Sequence, residues 1–506
     1  MIVTLGLNVL FFALVIFVLQ RAHIADRTFT DYAVGGRSFG GFYQAMSFLN
    51  TWYPGVTFVA FAGLAAGSGV LAFYPLTYSA LTVVLMYLMA RRVWVWGNRF
   101  DLRTQPDLFA LRYGSRHIRT IAAVIGVLSG FPWLVLGMQA LGALFRFMSL
   151  GTISFTTAVV IGVAVMVVRQ FWTIRMGMRG VVISDMVQGV VAYIGGTVLI
   201  VGLIAWLVAA RGVTFASIAP RMFDIPGIGS KQGPLYLFAL MFTGMLGGWC
   251  WPAIFVRLYT ADGVRSLKES AAIGVPLASL FYAALVILAM LASALPEVAK
   301  SPNDVWFLLS QQAGGTVLLG LAGVIVLAAS MGNIDGAIQA TGAQIANDIV
   351  GNYVSLPHGR MVLVAKVGMV VITLLAAWLS CLNLPQLFTL AVLSYQGIIQ
   401  LAVPQFLGIA WKRGNKVGAI GGMAGGFIVA VLLEMRYPGS LPWAYGLTSG
   451  VVALAVNLLI YVVAAYAIPQ SAAERRRLDG IFALVEGQAP DPVFDNEAMR
   501  GARPSF

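Results

Sequence analysis

Residues 47–55 read SFLNTWYPG and interrupt an apolar stretch that runs from about residue 42 to residue 66. Apolar stretches of this length are typical of membrane-spanning helices. Pro54 has no backbone N–H and Gly55 weakens helical structure, so the helix is expected to break here and to leave backbone groups without helical partners. Inside a membrane such groups are tolerated where they line a cavity or bind a ligand.

A second apolar stretch carries the same combination of glycine, proline and aromatic residues. Residues 243–252 read TGMLGGWCWP. In the span count given below the two breaks are five spans apart, and an odd offset inverts the second unit relative to the first. Matched breaks in inverted units predict a binding site between them, near the middle of the membrane. A pair of packing kinks is the alternative interpretation.

The composition indicates a protein that lies almost entirely in the membrane. Of 506 residues, 59% are apolar and only 10% are charged, too few charges for the surface of a soluble protein of this length. The 56 glycines suit closely packed membrane helices. The apolar blocks predict thirteen spans, near residues 2–20, 42–66, 69–90, 120–145, 152–168, 180–209, 233–256, 271–295, 316–346, 361–380, 387–410, 417–435 and 444–468.

The basic residues predict the orientation of these spans. With the N-terminus outside, all but six of the 32 Lys and Arg fall in inner segments; the exceptions are Arg146, Arg211, Arg221, Lys231, Lys300 and Arg436. The positive-inside rule therefore places the C-terminus in the cytoplasm. The net charge of +13 then reflects orientation and lipid contact, and we expect no nucleic-acid partner.

Motifs typical of secreted proteins and of enzymes are missing from the sequence. The first span has neither a preceding basic residue nor a cleavage site, so it is read as a retained helix. Cys250 and Cys381 imply no disulfide framework. We find no metal-ligand spacing, phosphate loop or nucleophile motif, and His23, His117 and His358 all fall in inner loops. We therefore expect no enzyme, no resident cofactor and no histidine relay within the membrane.

Two carboxylates fall within predicted spans. Asp335 lies in AASMGNIDGAIQ (residues 328–339), and at ~1.5 Å per residue it sits roughly 15 Å deep. Ionisable residues at such depth are functional by default. Asp185 lies about one turn inside the sixth span. Of the basic residues in these spans, Lys366 and Arg146 are near the ends, so we expect the two carboxylates either to hold a cation or to share a proton. For Asp335 the alternative is a salt bridge to a structural Arg or Lys, and for Asp185 it is a solvated carboxylate at the inner end of the span or an acid at a helix N-terminus.

Several stretches resemble the sodium:solute symporter family, which includes bacterial proline, pantothenate and sialic acid carriers and the sodium–glucose cotransporters. They occur in family order and cover most of residues 31–425: DYAVGGRS (31–38), TQPD (104–107), RYGS (112–115), Ser184-Asp185 with Gln188, QIAND (344–348), and Trp411-Lys-Arg with Gly418. The resemblance implies an all-α, polytopic LeuT-type fold of five plus five inverted helices. It also implies secondary active transport driven by a cation gradient.

The resemblance also implies how the chain is divided and where it lies. One helix precedes the core and two follow it. The expected units are 1–41, the first helix and an inner loop; 42–210 and 211–410, the two repeats; 411–468, two further helices; and 469–506, a cytoplasmic tail. We expect an integral, multi-pass protein of the plasma membrane, such as a bacterial inner membrane, for which a monomer suffices for function.

The cation sites implied by the resemblance fall on named residues. The principal sodium site takes carbonyls of Asn50, Tyr53 and Ala329, and its hydroxyl pair falls on Gly332 and Asn333. Gly332 offers no side-chain oxygen, whereas Asn333 offers an amide oxygen, a reasonable ligand for a hard cation. Restoring the hydroxyl with Gly332→Ser is expected to tighten sodium binding. A second cation position, present in some members, falls on Asp185, Asp335 and Gly336.

The candidate substrate residues cluster at the two breaks and in the eleventh span: Asn50, Trp52, Tyr53, Thr243, Trp249, Trp251, Tyr395 and Gln396. They are largely aromatic and uncharged, which favours a small organic acid or amino acid over a sugar. A freed helix N-terminus can hold a carboxylate without an arginine. We therefore predict cation-coupled symport by alternating access, with sodium favoured. Proton coupling through Asp185 and Asp335, and a transporter-like solute sensor, stay open as alternatives.

Overall fold

The computed structural model describes residues 1–22, 28–382 and 394–486. His23, the start of the predicted eleventh span and the end of the predicted tail lie outside these residues. The described chain is nearly all helical, with two isolated bridges, Phe39–Ala261 and Leu441–Leu447. Its helices are α1 (Ile2–Arg21), α2 (Phe29–Val34), α3 (Gly41–Trp52), α4 (Ala62–Ser68), α5 (Tyr74–Arg99), α6 (Gln105–Tyr113), α7 (Arg116–Met148), α8 (Phe155–Gly189), α9 (Gly196–Arg211), α10 (Tyr236–Gly247), α11 (Pro252–Phe255), α12 (Arg257–Thr260), α13 (Val264–Ala292), α14 (Pro296–Lys300), α15 (Val305–Gln344), α16 (His358–Cys381), α17 (Gly408–Ala410), α18 (Lys416–Arg436), α19 (Ser449–Ala467) and α20 (Ala472–Glu486).

Nine helical stretches of the described chain are long and apolar enough to cross a membrane, or ten if one bent pair counts as a span. Some exceed a single crossing. The stretch Phe155–Arg211 has 57 residues, about 85 Å at ~1.5 Å per residue, against a hydrocarbon core of ~30 Å. Gly177 turns the chain within it, with φ 59°. Such a φ favours glycine, and this one divides the stretch in two.

Both predicted breaks occur in the structure. Helix α3 ends at Trp52, Tyr53 leaves the helical conformation with φ −108° and ψ 85°, and helical structure resumes at Thr57. In the seventh predicted span, Tyr236–Cys250 and Pro252–Thr260 meet at 59°. Pro54 and Pro252 explain the positions, because a proline removes a helical donor and begins a new helical segment readily.

The second break is held in place by side chains from two other parts of the fold. Gln105 Nε2 donates to the carbonyl of Trp249 at 3.1 Å, and Gln405 Nε2 donates to the same carbonyl at 3.0 Å. Trp249 is itself buried, and its Nε1 donates to Thr82 O at 2.8 Å. A carbonyl freed by the break is thus satisfied by protein, as the low-dielectric interior requires.

Two of the motif stretches join helix ends through one buried charged network. Arg119 of α7 forms ion pairs with Asp107 of α6 and, at 2.8 Å, with Asp348 just beyond α15. Thr104 Oγ1 donates to Asp348 Oδ1 at 2.9 Å, and Asn347 Nδ2 donates to Asp107 Oδ2 at 2.8 Å. Every member is buried. The stretches 104–107 and 344–348 therefore lock α6, α7 and α15 together.

Helix α20, after the last apolar helix, docks on the end of α6. The guanidinium of Arg477 donates to the carbonyls of Leu111 and, at 3.0 Å, Arg112. These belong to the last turn of α6, where carbonyls lack helical partners. Trp96 Nε1 donates to Ile481 O at 2.8 Å. Burial lowers the pKa of Arg477 to about 10, so it remains charged at neutral pH.

We expect Arg477→Met to destabilise the protein by about 2 kcal/mol, because it leaves two helix-end carbonyls without donors while keeping the apolar stem. Thermal unfolding of the purified protein in detergent measures the loss as a lower midpoint. Arg476→Met is the matched control, since Arg476 is exposed on the same helix. Equal midpoints for the two variants would contradict the docking role.

Candidate functional site

A cavity lies between the two helix breaks. The space in it open to water-sized molecules is about 120 Å³. Both breaks contribute to its wall, through residues 51–54 and 251–254, and none of the described residues that line it carries a charge. The other lining residues are Thr57, Phe61, Pro75, Tyr78, Gly126, Val127, Gly130, Phe131, Trp133, Leu134, Tyr282, Asn333, Ala337, Ala340, Thr341, Ile372 and Tyr395.

Three aromatic rings form one side of this cavity. Trp251 and Tyr395 meet edge-to-face with ring centroids 5.1 Å apart, and Trp133 meets both edge-to-face at 6.4 and 6.1 Å. These arrangements suit the ring quadrupoles. The indole nitrogen of Trp133 is buried and has no hydrogen-bond partner in the described chain. Because Trp133 lines the cavity, its unpartnered indole N–H is a candidate donor to a bound solute.

Four of the predicted substrate residues line the cavity: Trp52, Tyr53, Trp251 and Tyr395. The other four do not line it, and each hydrogen-bonds to a residue outside the cavity wall. Thr243 Oγ1 donates a hydrogen bond to Ala239 O, Trp249 Nε1 donates to Thr82 O, and Asn50 Nδ2 donates to Asp185 Oδ1. Gln396 Oε1 accepts a hydrogen bond from the backbone N–H of Gly450. Trp133 is not among the substrate residues expected from the sequence. Its position after Pro132, in the middle of the fourth predicted span, was the available signal.

The carboxylate of Asp185 lies next to the first break and is fully buried. Ser47 Oγ donates to it at 2.7 Å and Asn50 Nδ2 at 3.1 Å. Arg257 Nη2 forms an ion pair with it at 3.0 Å. Asn50 Nδ2 also contacts Gln188 Oε1 at 2.9 Å. Asp185 thus organises the polar face of α3.

The carboxylate of Asp335 is also fully buried and also paired with an arginine. Arg169 Nη2 lies 2.7 Å from its Oδ2, and Gln170 Nε2 donates to its Oδ1 at 2.7 Å. The expectation that the two carboxylates have few cations within reach is therefore wrong. Lys366 and Arg146 were the expected cations, whereas the structure supplies Arg169 from the interior of α8 and Arg257 from the start of α12.

Two glycines of α15 allow this cluster to pack. A Cβ on Gly332 would lie 2.7 Å from Asp185 Oδ1 and would overlap the amide of Asn50. A Cβ on Gly336 would lie 2.9 Å from Arg257 Nη2. The places where the family resemblance puts hydroxyls are therefore already filled by neighbouring side chains. This corrects the expectation that a serine at position 332 simply restores a sodium ligand.

The predicted principal cation residues surround the first break. Pro54 has no N–H, so the carbonyl of Asn50 has no helical donor. The carbonyl of Tyr53 accepts from Tyr193 Oη at 2.6 Å. Asn333 Nδ2 donates to Thr51 O at 2.8 Å, which ties α15 to the break. Ala329 is fully buried on the same helix.

Ser330 is a polar residue at this break that sequence reasoning missed. Its side chain is 2% exposed, and its Oγ has no partner within the described residues. A Cβ on Gly55 would overlap this oxygen and would lie 2.8 Å from Val326 O. A hydroxyl and a carbonyl one turn apart on α15 thus face the break. Oxygen atoms of this kind are ligands for hard cations.

Comparison with known proteins identifies the family. The profile of the sodium:solute symporter family matches residues 32–426. The chain belongs to this family. It is therefore a solute transporter, a multi-pass integral membrane protein, and not an enzyme. The resemblance seen in the sequence motifs is confirmed.

Relatives of this symporter extend over nearly the whole chain. The uncharacterized symporter YodF of Bacillus subtilis is 22% identical, covering 91% of this chain and 92% of its own. The sodium/pantothenate symporter of Escherichia coli is 26% identical, covering 81% and 86%. The monocarboxylic acid transporter of Corynebacterium glutamicum is 24% identical, covering 86% and 84%.

Solved structures share the fold of this symporter. A Na⁺-coupled sialic acid symporter in a substrate-bound, outward-open state superposes with a TM-score of 0.71 at 14% identity, covering 93% of this chain and 98% of its own. The nucleobase-cation-symport transporter Mhp1, closed around bromovinylhydantoin, superposes with a TM-score of 0.57 at 15% identity, covering 90% and 99%. Both are transporters of the LeuT-type fold.

We expect Gly332→Ser to lower the amount of folded symporter, because the added side chain has to displace Asn50 or Asp185 from a fully buried cluster. Size-exclusion chromatography of the detergent-solubilised protein measures the monodisperse fraction. Gly274→Ala is the control, since no atom lies within 4 Å of the Cβ it adds. A Gly332→Ser protein that is as abundant and monodisperse as the control would contradict the packing argument.

Proposed function

We propose that this symporter carries a small monocarboxylate with an apolar body, together with sodium, across the membrane. The observation that carries the proposal is the uncharged, aromatic cavity between the two helix breaks. Sites for small molecules are mostly apolar, with a few polar groups that set orientation. This cavity has that character, and its position matches the middle of a broken-helix transporter.

The chemistry of the wall favours a carboxylate over a free amino acid. The described lining residues are neither acidic nor basic, so neither an ammonium group nor a carboxylate would find a charged side chain; the proposed sodium ion at the first break would compensate a carboxylate but not an ammonium group. A carboxylate can instead accept from Trp133 Nε1 and from backbone amides at the breaks. The names of two relatives, a monocarboxylic acid transporter and a sodium/pantothenate symporter, support the same class.

The coupling sodium is proposed to bind at the first break. Its ligands would be the carbonyls of Asn50, Tyr53 and Ala329, with the side-chain oxygens of Asn333 and Ser330. These groups are neutral oxygens, which sodium accepts. The hydroxyl of Ser330 would compensate for the missing hydroxyl at Gly332. Besides this ion, no cofactor is proposed.

The finer topology also belongs to this proposal. Thirteen spans with the N-terminus outside and a cytoplasmic C-terminus follow under four conditions: α3 and α4 form one broken span separate from α5, Gly177 separates two spans, the kink at Gly314–Gly315 separates a short outer helix from the ninth span, and the eleventh predicted span, described for residues 394–410, crosses the membrane. The two five-helix repeats would then be residues 42–210 and 211–410. Docking of α20 near α6 is consistent with a cytoplasmic tail.

Proteoliposomes that contain the purified protein test the function directly. An inward sodium gradient should drive accumulation of [¹⁴C]pyruvate at least fivefold above the level in potassium-only buffer. Pantothenate, proline and glucose serve as competitors. Of these we expect only pantothenate to compete, because it is a carboxylic acid without an ammonium group. Empty liposomes control for leakage.

Other outcomes identify the alternatives. Uptake driven by a proton gradient without sodium would replace sodium coupling by proton coupling. Binding of pyruvate without exchange of labelled substrate in counterflow would indicate a sensor. Competition by glucose alone would overturn the substrate class.

We expect Trp133→Phe to raise the KM for the transported acid about tenfold, because it removes one donor to the carboxylate, worth ~1–2 kcal/mol, while keeping the ring. Initial uptake rates over a range of substrate concentrations provide the measurement. Trp443→Phe is the control, since Trp443 is 56% exposed and far along the chain from the cavity residues. An unchanged KM would remove Trp133 from the site.

A further inference from the structure

Four charged side chains form one buried cluster beside the proposed sodium position. Asp185 and Asp335 are fully buried, and Arg169 and Arg257 are 0% and 2% exposed. The ion pairs measure 3.0 Å for Arg257–Asp185 and 2.7 Å for Arg169–Asp335. Two negative and two positive charges leave the cluster formally neutral.

Arg257 lies where three other helices meet. Its Nη2 donates to Asp185 of α8 and, at 2.8 Å, to Thr51 Oγ1 of α3. The same nitrogen lies 2.9 Å from the Cβ position of Gly336 on α15. Its Nη1 contacts Met178 Sδ at 2.9 Å. The guanidinium therefore fills the point at which α3, α8 and α15 come together, and Gly336 provides the room.

We infer that Arg257 and Arg169 are resident counter-ions, so that neither Asp185 nor Asp335 binds a transported sodium ion or carries a transported proton. The inference rests on the proposed sodium position at the first break. It leaves the protein with a single coupling ion, bound by neutral oxygens. Both arginines neutralise a buried carboxylate and take no part in binding the coupling ion.

The physical reason is the cost of net charge in a buried cluster. A guanidinium is always protonated and is tethered to the chain, so it neutralises its partner permanently. A sodium ion added to the cluster would leave one uncompensated positive charge, and so would a proton on either carboxylate. An uncompensated buried charge costs several kcal/mol. A sodium ion at the first break brings the same charge, but there it meets no guanidinium, and it meets the carbonyl of Asn50, which lacks its helical donor, and the hydroxyl of Ser330, which has no partner in the described chain.

Binding of ²²Na⁺ to the purified full-length protein, measured by scintillation proximity, tests the inference without a known substrate. We expect one sodium per wild-type protein. The paired variants Asp185→Asn with Arg257→Gln, and Asp335→Asn with Arg169→Gln, keep the cluster neutral. Each should still bind one sodium with a Kd within threefold of wild type.

The single variant Arg257→Gln provides the complementary result. It exposes the carboxylate of Asp185 to Thr51 Oγ1 and Ser47 Oγ, a set of oxygens that suits a hard cation. We expect it to bind one sodium more than wild type. Arg211→Gln is the control, because it breaks the half-exposed pair with Glu297 and should leave the count unchanged.

Each outcome decides one of the two proposals. Two sodium ions per wild-type protein, or loss of sodium binding in a monodisperse paired variant, would overturn the inference. A wild-type protein that binds no sodium would overturn the proposed sodium coupling instead. In that case Arg257→Gln still decides the inference. An increase from zero to one bound sodium ion in this variant supports the inference, and an unchanged count of zero overturns it. If Arg257→Gln does not fold, the wild-type count and the paired variants decide.

Discussion

The ion pair between Arg257 and Asp185 is the interaction on which the centre of this transporter depends. A carboxylate without contact to water has to be matched by a positive charge, because the low-dielectric interior does not screen it. Here the matching charge comes from the helix that follows the second break and reaches a carboxylate packed against the first break. The two broken helices are thereby tied to each other through α8. The same requirement explains why Gly332 and Gly336 carry no side chains, since the guanidinium and the amide of Asn50 take that space.

Buried backbone carbonyls also need hydrogen-bond partners, and the two helix breaks meet this requirement differently. At the second break, Gln105 and Gln405 hold the carbonyl of Trp249, so this break is anchored by protein groups. At the first break, Pro54 leaves the carbonyl of Asn50 without its helical donor, and the hydroxyl of Ser330 has no partner in the described chain. Free oxygens thus collect at the first break, whereas aromatic rings from both breaks line the cavity. At the proposed positions, ion and solute would lie side by side, where each can affect the binding of the other.

The motifs that carry the family resemblance serve mainly to hold helices together. Arg119, Asp107 and Asp348 join three helix ends, and Arg112 donates to Gly408 O at 2.6 Å and to Trp411 O at 2.7 Å. Two residues that line the cavity, Trp133 and Tyr395, lie outside those motifs. Because the cavity lies apart from the motifs that identify the family, family membership leaves the substrate to be proposed.

The sequence by itself determined the membrane class, the family and the position of both helix breaks. Hydropathy, proline chemistry and motif order are local properties, so they can be read along the chain without knowledge of the fold. Only the tertiary structure decided that Arg169 and Arg257 neutralise the two carboxylates, that Ser330 faces Gly55, and that Trp133 lines the cavity while Trp249 does not. Arg257 and Asp185 are 72 positions apart, and Gln170 and Asp335 are 165 apart. The packing of the helices decides which arginine pairs with which carboxylate. A periodic apolar pattern along one helix carries no information about a partner on another helix.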